Sequence, residues 1–175
     1  ILKIYQKVGD EYVASTNRQV EYSDGKSVVF PVRLVPNRDY RFVVWADYVE
    51  NKNDIDLHYN THNEGELANI SLNDTWFAMD ETRDAFTGYF DTVDERKQYT
   101  STSSINIILK RPFAKLRVIT TDMKELGYLG IKPPFYAEVE YATEYRAGFN
   151  AFTSEAVAAN DSDKKIHTVF EIADY

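Results

Sequence analysis

The chain has no cysteine. Disulfides, thiolate metal sites and a cysteine nucleophile are therefore all excluded. It also lacks any run of about 18 apolar residues, so no segment is suited to cross a bilayer as a helix. Nothing at its start has the basic-then-apolar pattern of a leader, and Ile1 is not an initiator methionine. A processed product or a piece of a longer chain is the expectation. The seven glycines form no Gly-x-Ser-x-Gly elbow and no phosphate-cradling loop. Basic residues are outnumbered, 20 to 28, and the net charge of −8 makes a nucleic-acid backbone a poor partner.

Aromatic residues are plentiful. Thirteen Tyr and ten Phe lift the aromatic share to 14%, in a chain that is 43% apolar. Such side chains suit pleated, half-buried surfaces. A length of 175 residues fits one ordinary domain, or one complete and one partial smaller domain. The acid is unevenly spread. Residues 47–95 hold thirteen Asp and Glu against two Lys and Arg, which leaves the rest of the chain slightly positive. A charge run of this kind is usually a solvated face.

Strand patterns dominate. Ile1-Leu2-Lys3-Ile4-Tyr5 is β-prone. Val28, Phe30, Val32 and Leu34 alternate with Ser27, Val29, Pro31 and Arg33, the period of a strand with one buried face. Pro31 places it at an edge or a bulge. Turn chemistry flanks it at Ser23-Asp24-Gly25-Lys26 and Pro36-Asn37-Arg38-Asp39. From Tyr40 to Tyr48 both faces are apolar, which predicts a central strand covered on both sides. Ile105–Lys110, Leu116–Thr120, Ala137–Tyr141 and His167–Tyr175 read as further strands. Residues 50–100 are too long for a plain loop and are expected to hold small elements, among them a short helix over Asp80–Phe86. With no amphipathic helix of useful length, a sandwich or barrel is expected.

Phe42-Val43-Val44-Trp45-Ala46-Asp47-Tyr48 is echoed by Val169-Phe170-Glu171-Ile172-Ala173-Asp174-Tyr175, and a similar strand precedes each, Leu2–Tyr5 and Leu116–Ile119. The echo predicts tandem related β-domains. Residues 1–112 would be the first, with 50–100 as a long insertion, and 113–175 an incomplete second.

Three stretches occur in order: Arg41-Phe42-Val43-Val44-Trp45-Ala46-Asp47-Tyr48-Val49, Arg83-Asp84-Ala85-Phe86-Thr87-Gly88, and Arg111-Pro112-Phe113-Ala114-Lys115-Leu116-Arg117-Val118. The set resembles the fimbrillin-like surface lipoproteins of Bacteroides and its relatives. That resemblance implies an all-β fold of tandem transthyretin/Ig-like β-sandwiches and export to the outer membrane, cell surface or fimbrium. It implies a lipid anchor upstream of this chain. It implies other fimbrial subunits or host and bacterial surface ligands as partners, joined by strand exchange, in which a donated strand completes an open sheet edge.

Candidate sites are few. His58, His62 and Glu66 are spaced four apart, but Tyr59 stands where a zinc-protease helix needs Glu. Asp47, Asp54 and Asp56 with Asn51 and Asn53 do not match a calcium loop, and turn carboxylates are commonly solvated. Glu138 and Glu140 share a strand face near Glu144, the raw material of a glycosidase pair but also of an ordinary solvated face. Lys110, Arg111, Lys115 and Arg117 form the one basic cluster. Of the aromatics Trp45, Trp76, Tyr136, Tyr141, Tyr145 and Phe149, core packing claims Trp45 first. Trp76, Tyr141 and Tyr145 are the candidate contacts for a glycan. The expectation is a non-enzymatic surface subunit of a fimbrial or adhesion system, with no cofactor or metal; a glycan-binding surface module is the alternative.

Overall fold

The computed structural model describes residues 1–23, 27–49, 51, 56–73, 81–95, 103–114, 119, 121, 123–130, 136–140, 148–157 and 167–171. These are mostly β, with two four-stranded antiparallel sheets and very little helix. The first sheet has the order β2-β1-β3-β6, from β1 (Leu2–Val8), β2 (Glu11–Ala14), β3 (Tyr40–Asp47) and β6 (Ala85–Asp91). The second has the order β4-β5-β8-β9, from β4 (Tyr59–Asn60), β5 (Ile70–Leu72), β8 (Gly148–Asn150) and β9 (Glu155–Val157). A separate ladder pairs β7 (Tyr136–Glu140) with β10 (His167–Glu171). The described helices are α1 (Thr92–Glu95) and α2 (Met123–Tyr128), with single 3-10 turns at Glu66–Ala68 and Glu81–Arg83.

The chain opens with a hairpin. Val8 pairs with Glu11 across the two-residue loop Gly9-Asp10, and Gly9 takes φ 64°. A positive φ at the first loop position matches the right-handed twist of the strands, and glycine adopts it freely. β3 then lies between β1 and β6, with Leu2 opposite Val44 and Val44 opposite Gly88. This is the central strand expected from its two apolar faces.

Those faces have different covers. On one, Val43, Trp45 and Ala85 share a core with Tyr59, Leu67, Ile70, Phe149 and Ala151 of the second sheet and its connections. Trp45, Val43 and Leu67 are 0% exposed. Burying each such side chain contributes about 1.5–3 kcal/mol before entropy is counted. On the other face, Leu2, Ile4, Tyr40 and Phe42 are covered by Phe30, Val32, Leu34, Ile105 and Ile107.

The covering segments 27–35 and 103–109 show the alternating burial their sequence predicts from Phe30 and from Ile105 onward, with Val28 exposed at 40%, yet neither lies in a strand. Period two reports which side chains face inward; it does not require a hydrogen-bonded neighbour. The helix expected over Asp80–Phe86 is also corrected. Glu81–Arg83 make one 3-10 turn and Ala85 already begins β6, whose Ala85 and Thr87 are buried while Tyr89 is exposed.

The boundary expected at Pro112 runs through this arrangement. β8, from beyond Pro112, pairs with β5, from before it, and Phe149 enters the core around Trp45. Strands on both sides of Pro112 thus complete one sheet and one core. Leu116–Val118, half of the echo, lies outside the described residues, as do 172–175.

Candidate functional site

Trp76, Tyr141 and Tyr145 lie outside the described residues, with Asn53, Asp54, Lys115, Arg117 and Glu144. Glu138 and Glu140 occupy β7, paired in register with Val169 and His167. Trp45 and Phe149 are core residues. The histidines do not converge with Glu66. His58 is buried, its Nε2 3.1 Å from Thr82 Oγ1. His62 is exposed and pairs through Nδ1 with Asp56. Glu66 binds the Lys3 ammonium at 2.9 Å. Among the described residues no three His, Asp or Glu gather as metal ligands.

Asp47 and Asp56 do approach each other, at the end of β3. Asp56 accepts from the Thr61 hydroxyl at 2.8 Å and from His62. Asp47 Oδ2 is buried with no hydrogen-bond donor, and two guanidinium nitrogens of Arg18 are likewise unmatched while the third donates to Thr61 O at 2.9 Å. Burial pushes the Asp47 carboxyl up to about 6 from 3.8. The nearby Trp45 indole pulls it down without reaching hydrogen-bond geometry, and Asp56 raises it further. Dehydration disfavours the charged form of a carboxyl, and a like charge adds to that.

Arg41 organises the opposite end of β3. Its Nε and one terminal nitrogen donate to the two carboxylate oxygens of Asp91 at 2.7 and 2.5 Å, and the other donates to Phe152 O at 3.1 Å. The rings of Tyr12, Tyr89 and Phe152 lie 4.9, 4.9 and 4.6 Å from the guanidinium carbon. A bidentate, half-dehydrated pair with aromatic faces on a planar cation is among the stronger polar arrangements. It ties β2, β3 and β6 to the turn after β8. The signal for it was an arginine set among the apolar residues of a two-faced strand, where a charge needs partners.

A third feature lies along the outer edge of β6. Thr87 exchanges hydrogen bonds with Lys110 at 2.8 and 2.9 Å, a single bridge. The chain before Lys110 then passes over Gly88 on the sheet face. A Cβ at Gly88 would stand 2.8 Å from Ile108 O, so only glycine allows this crossing. Next to it opens a groove of about 410 Å³, lined by residues that include Thr87, Tyr89, Lys110, Arg111, Pro112 and Ser154. Arg111 is held by Asp84 at 2.6 Å and lies over the Phe86 ring.

Residues 1–172 match the model of a family of unknown function, DUF6562. The chain belongs to that family. No curated protein and no solved structure matches it. For this DUF6562 member the chemistry of its own residues is therefore the guide to function. The features that the described residues assemble are an arginine latch, a pair of carboxylates at the far end of β3, and a basic groove along the outer edge of β6.

Proposed function

We propose that the chain is a non-enzymatic subunit of an exported fimbrial or adhesion assembly at the outer membrane or cell surface. Its two sheets are read as a transthyretin/Ig-like sandwich, and its neighbours as other subunits joined by β-strand complementation. The ordered likeness to fimbrillin-like lipoproteins motivates the family reading, with membrane attachment through an upstream lipid.

The observation that carries the reading is the cover over Leu2, Ile4, Tyr40 and Phe42. Segments 27–35 and 103–109 are extended and bury alternate side chains, but neither is part of a β-ladder. Their outward residues include Val29 at 83% and Ile108 at 81% exposure. Extended backbone without ladder partners beside an apolar sheet face is material that a donated strand uses: main-chain hydrogen bonds supply affinity and alternate side chains fill pockets.

The test is electrophoresis of the protein taken from its native cell surface, unheated and again after heating, before and after protease trimming. A ladder of detergent-stable oligomers that collapses to monomer on heating is expected. Monomer alone at every concentration, trimmed or not, overturns assembly by strand exchange.

A further inference from the structure

We propose that the groove beside β6 binds a carboxylate-bearing sugar, a hexuronic acid or its like. The residues that carry it are Lys110, Tyr89 and Ser154, and the groove shares Ile108 with the segment read above as a strand acceptor. Its first support is electrostatic. The protein carries −8, yet among the described residues the groove lining contains two cations, Lys110 and Arg111, and no acid. Arg111 is already held by Asp84, whereas Lys110 forms no ion pair among the described residues. A cation of this kind on the wall of a concavity favours an anion.

The second support is shape and surface. The groove, about 410 Å³, lies within the range of small-molecule sites. Tyr89 is 48% exposed although one side of its ring meets Arg41. An open aromatic ring with Pro112 beside it offers an apolar surface to the C–H face of a sugar. The third is backbone. Ser154 closes the hairpin between β8 and β9 at φ 60°, a conformation glycine takes without steric cost. Ser154 is also one of the residues that line the groove. Strained positions of this kind cluster at binding sites. An anion, an apolar face and hydroxyl groups together describe an acidic sugar better than an inorganic anion or a neutral sugar.

The experiment is a calorimetric and NMR titration of the intact chain with a β-glucuronide disaccharide, using the matched β-glucoside disaccharide and sodium acetate as controls. Saturable binding of the glucuronide is expected, with the glucoside and acetate weaker by about tenfold or more, the usual size of one charge-assisted hydrogen bond. Lys110→Gln should cost about the same factor. Ser154→Gly should weaken binding while the melting temperature holds or rises, a split that a purely structural serine does not produce. No saturation in the millimolar range, equal binding of the two disaccharides, or wild-type affinity in both Lys110→Gln and Ser154→Gly overturns the site.

Discussion

The two faces of the first sheet are both apolar along β3 and unlike in construction. β1 adds Tyr5 beside the buried Lys3 to one of them, and Leu2 and Ile4 to the other. One is closed by laddered strands, so that Trp45 meets the Tyr59 ring edge-on at 5.4 Å and the Phe149 ring at 5.9 Å. The other is closed by chain that packs its side chains without joining a ladder. The comparison separates two contributions that usually arrive together. Side-chain burial supplies the hydrophobic driving force, while the ladder supplies cooperativity and satisfies the backbone. A face with only the first is expected to open at lower free energy.

The largest effect should come from the laddered side. Trp45→Ala is expected to destabilise the chain by about 3–5 kcal/mol in denaturant melts, because a fully buried indole leaves a cavity in the shared core. Gly88→Ala strikes the other side. The added Cβ meets a backbone oxygen, which cannot rotate away, so a loss of about 1–3 kcal/mol is expected. Hydrogen exchange should show that loss concentrated in 103–110 and not in β8; a uniform loss across both sheets would contradict the asymmetry. Asp47→Asn tests the end of β3. The folded-state carboxyl value lies above the unfolded one, so the ionised group is a liability at pH 7 that fades as pH falls from about 6 toward 3.8. The variant should be more stable than the parent by up to about 2 kcal/mol at pH 7 and similar to it near pH 4. Equal gains at both values would mean that ionisation is not the cause. The smallest effect is Phe30→Ala, expected at about 1–2 kcal/mol since Phe30 is only partly buried.

Much of the first sheet was legible. The two-faced pattern of Tyr40–Tyr48 gave away a central strand, and Pro36-Asn37-Arg38-Asp39 is a turn with Asn37 at φ 57°. The strands of the β7–β10 ladder were legible too. What local pattern does not carry is partnership. Phe30, Val32 and Leu34 signal their inward side equally well with or without a ladder. The pairing of Ile70 with Phe149 depends on residues far apart in the chain, and no local propensity marks it. The candidate site was read least well. Arg41 needed Tyr12, Tyr89, Asp91 and Phe152 from four separate segments, and the groove needed a glycine to let one segment cross another. The nominated aromatics stood out by composition alone, which does not say where a ring faces.

The joining of β5 to β8 also sets a timetable. The four strands of the first sheet all precede Thr92, so their ladder can pair before the residues that cover its faces, Ile105, Ile107 and Phe149, have been made. The second cannot close until Phe149 has arrived to pair with Ile70. Until then Trp45 and Val43 lack half their cover, and a non-local closure of this kind is slow. The order of the chain thus makes closure of the shared core a late, non-local step.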